Sequence, residues 1–406
     1  MSKLVNMVYP EYLDKFKCIG GECEDTCCVG WDIDVDRATF KKYFKVKDEE
    51  MKKMFQKNVC NNSECTNEDL DYGRIKLNKE KRCPFLNCNN YCKIQEKLGE
   101  DYLSSVCGQF PRVVNKVDNH YEMVLDLSCP EAARIVLSSK DKIQFKTEKR
   151  SLGKYTMSGV LETKDREFEG TPIKYFKEIR NIAIKIIQYR GLDLNKRLYV
   201  LGDLLSILEE ISEEDPEKIP VIIDKYDIYE SAKFYEEDEN NYLSQISFFK
   251  NVVDSLNIVE EVDSEKFRTM TIKALEGFNV KKDSDLEKNA DMYIDAYKEY
   301  TKKFINKHSY IFENYFVNFI YNNLFPFSES DFMFEGYIML VFRYALMKFY
   351  LVGMYLKDGE DSKKDIIKFV QVFVKAFEHD RNYRSEILEY IQENGFDNME
   401  FAKVIL

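Results

Sequence analysis

All eleven cysteines of this 406-residue chain lie between Cys18 and Cys129, and none occurs in the long remainder. Thiols crowded in this way pair as disulfides, bind a metal, or sit as small apolar side chains. The densest stretch, Cys18-Ile-Gly-Gly-Glu-Cys23-Glu-Asp-Thr-Cys27-Cys28-Val-Gly-Trp31, places four thiols in eleven residues with glycines between them. Glycine lets the backbone turn sharply and aim N–H groups at sulfur, so such a loop can wrap a metal held by soft thiolates. The odd cysteine count argues against a disulfide framework. So does the opening MSKLVNMVYPEYLDKF, which has no apolar run of signal-peptide length. Reduced thiols in a soluble, cytoplasmic protein are the expectation.

Further cysteines stand in short signatures: Cys83-Pro-Phe-Leu, Cys92-Lys-Ile, Cys107 ahead of Phe110-Pro-Arg112, and Cys129-Pro-Glu-Ala-Ala-Arg. Ser128 and Glu131 have the spacing of a capping box, which predicts Cys129 in a first helical turn, where the dipole lowers a thiol pKa. Proline directly after Cys83 and Cys129 resembles bacterial ferredoxin usage. With three histidines in the chain, a zinc site would be nearly all cysteine, so residue chemistry leaves iron–sulfur and zinc both open. Cys60, Cys65 and Cys88 fall outside the signatures and read as small buried hydrophobes. Cys27 and Cys28 are expected to diverge, as neighbours in extended backbone do. Cys23 and Cys27 supply the first pair of a Cys-x3-Cys-x2-Cys loop, but Gly30 holds the third position, so the radical-SAM motif is absent. No GxGxxG follows a strand, which leaves an ordinary Rossmann methyltransferase domain unsupported.

The cysteine distribution divides the chain into residues 1–145, a cysteine-rich metal-binding domain, and 146–406. The first part is broken by turn signals, with short helices predicted at 37–44 and 49–55 and a hairpin over 112–127 around Asp118-Asn119. A polar connector at 140–169 follows. Beyond it the periodicity is helical at 173–189, 196–211, 242–253, 267–275, 366–377 and 385–392, and Tyr293, Tyr297, Tyr300 and Phe304 share one helix face. The fold class is mainly α: an irregular N-terminal domain with a short hairpin, then a C-terminal helical bundle. The stretch 336–356 is long and apolar, but Arg343 and Lys348 near its middle point to a buried bundle helix and no transmembrane segment. The net charge of -12 disfavours a broad nucleic-acid face and suits a cationic, lysine-bearing partner. His120, His308 and His379 each lack a ligand partner at helical spacing.

The run from Phe16 to Trp31 resembles the opening of the flagellin lysine-N-methylase family. So do Cys83-Pro-Phe-Leu, Cys92-Lys-Ile with Leu98-Gly-Glu, Cys107-Gly-Gln-Phe-Pro-Arg, Leu127-Ser-Cys-Pro-Glu-Ala-Ala-Arg, Glu313-Asn-Tyr-Phe-Val-Asn-Phe and Leu324-Phe-Pro-Phe. A broader group of small zinc- or iron-chelating proteins shares the cysteine core alone. The resemblance implies methyl transfer from S-adenosylmethionine to surface lysines of flagellin, in a protein associated with a [4Fe–4S] cluster. Its ligand candidates, carried over residue by residue, are Cys18, Cys23, Cys27, Cys28, Cys83, Cys92, Cys107 and Cys129. One cluster needs four thiolates, so half of these are surplus unless there are two centres. Glu313, Asn314 and Tyr315 are polar groups in an apolar segment, candidates to line a catalytic site or to be satisfied within the core. The same residues admit a second reading, a non-catalytic metal-binding scaffold whose bundle takes a partner helix.

Overall fold

A computed structural model describes residues 4–153, 156–280, 283–379 and 381–406. The chain forms two compact units, Met1–Ile135 with Gln144–Leu161, and Val136–Ile143 with Glu162–Leu406.

The first unit is sheet-based, which corrects the expected irregular domain. Among the described residues its strands are β1 (Leu4–Pro10), β2 (Ile33–Val35), β3 (Val59–Asn61), β4 (Gly73–Ile75), β5 (Arg112–Val117), β6 (His120–Leu125), β7 (Phe145–Ser151) and β8 (Gly159–Leu161). The hairpin β5–β6 forms where expected, with Asp118 at φ 49° in the turn, a conformation that Asp and Asn tolerate. It sits inside a five-stranded sheet of order β7-β1-β6-β5-β8. β1 takes an interior place, beside the edge strand β7, through period-two burial: Val5, Met7 and Tyr9 are buried, Leu4 and Asn6 exposed. It runs parallel to β6 and pairs antiparallel with β7 over seven residues. β7 and β8 occupy what reads as a polar connector, because an exposed edge strand such as FKTEKRS carries no apolar signal.

A second, antiparallel sheet of order β2-β4-β3 packs with the helices Arg37–Tyr43 and Glu49–Asn58. Asp36 and Asp48 cap those helices by accepting from the N–H of Thr39 and Met51. Tyr43 and Phe55 stack at 4.0 Å in their core.

The second unit is helical, and the expected segments appear: Leu194–Glu214, Asn241–Ser255 and Glu265–Phe278 with longer ends, Phe176–Ile187 with shorter ones, and Ala290–Tyr300 ending before Phe304. Its spine is Met333–Asp358, whose most apolar window is 94% buried within the protein. Arg343 there donates to the Met339 carbonyl at 2.7 Å and pairs with Glu329. Lys348 donates to the Leu406 carbonyl at 3.3 Å and lies 5.1 Å over the Tyr242 ring.

Burial pushes the Lys348 ammonium down from 10.5 to about 8, against a smaller upward pull from Glu237. The folded state therefore binds fewer protons than the unfolded chain between about pH 8 and 10.5, and stability rises with pH through that window. Below it, both states are charged and the penalty, about 3 kcal/mol, is present in full. Lys348→Met is expected to remove the alkaline rise and to stabilise the neutral-pH protein, as read from urea midpoints at several pH values.

Candidate metal centre

The eight candidate thiols lie in the first unit, and none of the eleven cysteines is in a disulfide. Seven of them fall into two neighbourhoods, and Cys27 feels a member of each, Cys107 and Cys18. Cys28, Cys83, Cys92 and Cys107 all pack into or against the core that holds Tyr43, Phe85 and Ile94. The Cys28 thiol acts electrostatically on each of the other three, and Cys83 also feels Cys92 and Cys107. Cys18, Cys23 and Cys129 form the other group: Cys129 feels both of the others, and Cys23 feels Cys18.

Local hydrogen bonding explains the first group. The Cys83 N–H donates to the Cys28 carbonyl at 2.9 Å, and Val29 bridges to Arg82, so the first cysteine loop is stitched to the Cys83-Pro-Phe turn. Leu86 bridges to Cys92, which opens the helix Lys93–Leu98. Cys107 lies in the helix Ser105–Gln109, capped by the Ser104 hydroxyl. Asp36 accepts from the Ser105 N–H at 3.1 Å while capping its own helix, and so ties that helix to the Cys107 turn. Sequence reading missed Asp36; an Asp directly before a predicted helix was the available signal. The paired glycines of the first loop have distinct reasons. Gly20 turns through φ 57°, and a Cβ on Gly21 would come 2.6 Å from the Asn89 carbonyl.

Three expectations change. Cys27 and Cys28 sit in a turn, not an extended segment, so their thiols hydrogen-bond each other, and that bond raises the Cys27 pKa more than burial does. The capping box at Cys129 is not formed: Glu131 pairs with Arg134. The helix Pro130–Ser138 does begin there, and the N–H groups of Ala132 and Glu131 pull the Cys129 thiol down, but burial outweighs them and pushes it up to about 12. Cys60, Cys65 and Cys88 are not buried hydrophobes; Cys88 is exposed, and Cys65 donates to Asp71 at 3.3 Å.

Burial also pushes Cys107 up to about 12 and raises Cys83 and Cys92. Thiols in that condition give up their protons only to a strong cation. The donors of this group are all sulfur and the core around them is apolar, a chemistry that suits iron or zinc. Among the described residues no three His, Cys, Asp or Glu side chains stand already placed to hold a metal ion.

The polar triplet of the second unit is built into the core. Glu313, 1% exposed, accepts from Arg190 at 2.8 Å and from Arg197 at 2.8 Å. Asn314 donates to the carbonyls of Val136 and Ser139 at 2.9 and 2.8 Å, and the Tyr315 hydroxyl donates to Glu378. These bonds hold neighbouring segments together, while the buried Asn314 Oδ1 has no hydrogen-bond partner among the described residues.

A family model, the FliB lysine N-methylase C-terminal domain, matches residues 180–405. The flagellar biosynthetic protein FliU of Salmonella muenchen is 32% identical over 160 residues, 38% of this chain and 90% of that protein. The lysine-N-methylases of Salmonella typhimurium and Salmonella choleraesuis are each 33% identical over 144 residues, 34% of this chain and 34% of theirs. This chain thus aligns with about a third of the length of those two enzymes. No solved structure matches it. With a family model covering more than half of its residues, the chain belongs to the FliB lysine N-methylase family.

Proposed function

We propose that this chain is a cytoplasmic protein-lysine methyltransferase that moves a methyl group from S-adenosylmethionine to surface lysines of flagellin. We propose further that Cys28, Cys83, Cys92 and Cys107 hold a [4Fe–4S] cluster. Family membership carries the methylation, through the match over residues 180–405. The apolar core shared by the four thiols supports the cluster.

The chemistry sets a clear demand on the protein. A lysine ammonium has no lone pair, and its pKa of about 10.4 keeps it protonated at neutral pH, so a base or desolvation must remove the proton first. The amine then attacks the sulfonium methyl: the N–C bond forms as the C–S bond breaks, and the electron pair stays on sulfur. Aromatic faces favour both the sulfonium and the lysine cation. Glu313 is a poor base, because two guanidinium groups already hold its carboxylate. A cluster at the four thiols would supply Fe–S bonds that cross-link three separate loops.

The test starts from protein purified without oxygen. Iron and sulfide assays, with absorbance near ~400 nm, are expected to show a cluster that dithionite bleaches. Cys28→Ser, Cys83→Ser, Cys92→Ser and Cys107→Ser are each expected to lose most of the iron, while Cys60→Ser and Cys88→Ser retain it. Stoichiometric zinc in colourless protein, or full iron in all four variants, refutes the cluster assignment. Absence of labelled methyl on flagellin with the cluster intact refutes the methyltransferase.

A further inference from the structure

A groove of 280 Å³ opens on the second unit between the helices Asn241–Ser255 and Arg381–Glu393, over the spine Met333–Asp358. Its floor is apolar and aromatic, from Val252, Phe342 and Tyr390. Its rim carries three carboxylates, Glu386, Glu389 and Glu393, which recur at spacings of three and four and so line one face of their helix. All three are exposed, and among the described residues none has an ion-pair partner. Like charges at that spacing repel one another, so the helix bears a cost that a bound cation would relieve.

We propose that this groove binds the lysine-bearing segment of the protein substrate. A lysine side chain has the matching two-part character, a methylene stem that packs on apolar and aromatic surface and a cationic head that seeks carboxylate. The floor offers the first partner and the rim the second, and the Tyr390 ring adds a face for the cation. At 280 Å³ the groove is at the small end of ligand sites, of a size for one or two side chains rather than a cofactor. A bare acidic strip would attract any cation. The apolar floor selects a cation that carries a long apolar stem.

This assignment rests on the lysine-methylase reading, and binding measurements separate the two. The probe is a fluorescein-labelled, lysine-containing flagellin peptide, compared with the same peptide acetylated at lysine. The triple variant Glu386→Gln/Glu389→Gln/Glu393→Gln changes exposed side chains only, and circular dichroism verifies its fold. Three rim pairs together are expected to weaken peptide binding by about tenfold. Acetylation is expected to weaken binding to the unaltered protein by a similar factor and to leave binding to the variant unchanged. For methyl transfer, KM for flagellin is expected to rise and kcat to stay the same. Equal peptide affinity in variant and unaltered protein overturns the groove, as does no binding by the unaltered protein. Glutamate-dependent binding without methyl transfer keeps the groove and refutes the methylase.

Discussion

Glu313→Ala is expected to destabilise the protein by about 3–5 kcal/mol, measured by urea unfolding. The size of the effect comes from what the substitution leaves behind. Arg197 has a side chain 3% exposed, and Glu313 at 2.8 Å is its counter-charge. Removing the carboxylate strands a buried cation, which costs more than the pair contributed. Arg190, with a side chain 38% exposed, can return its charge to water and adds little to the loss. Taking away the stranded charge as well, in Glu313→Leu/Arg197→Met, is therefore expected to recover most of the stability. This cycle also decides the role of the residue. If Glu313 braces the core, Glu313→Gln protein that is still folded transfers methyl groups at an undiminished rate. A folded variant with lost turnover would make the carboxylate catalytic.

The helical unit was legible because burial imposes the 3.6-residue period on long segments, and Met333–Asp358 shows the limit of that reading. It is apolar on every side, which composition alone does not separate from a membrane span. Arg343 and Lys348 break the tie, since each is matched to a partner inside the protein. The alternation of β1 is legible in its own residues. β7 was not readable, because its place follows from seven long-range pairings to β1 rather than from its own residues.

The cysteines divide in the same way. Their density marked the region proposed to bind a metal, but which of them share one core depends on the Cys83-to-Cys28 hydrogen bond, a contact between loops far apart in sequence, and on the nearby Leu86–Cys92 bridge. Local motif reading failed at Cys129, where burial outweighs the helix N-terminus. The groove left a local trace, the spacing of Glu386, Glu389 and Glu393, but its floor comes from three helices and only the fold assembles it.

The second large effect is expected at a helix crossing. Gly277, near the end of Glu265–Phe278, lies against Gly353 of the spine, and a Cβ on Gly277 would overlap the Gly353 carbonyl oxygen. Alanine is normally the better helix residue by about 0.5–1 kcal/mol, so propensity alone predicts a more stable protein. Here the clash is with backbone, which no rotamer change relieves, and overpacking of that kind costs about 3 kcal/mol. The clash wins, and Gly277→Ala is expected to lose about 2 kcal/mol net. Separating the helices would also disturb the stack of Phe278 on Phe349, whose ring centroids are 4.8 Å apart. Gly353→Ala meets the Ala274 carbonyl at 2.6 Å across the same crossing. Once one substitution has forced the helices apart, the second meets a widened gap, so the double variant is expected to lose less than the sum of the two. Additive losses would mean that the two glycines do not share one crossing, and a Gly277→Ala protein as stable as the parent would mean that the helices do not approach this closely.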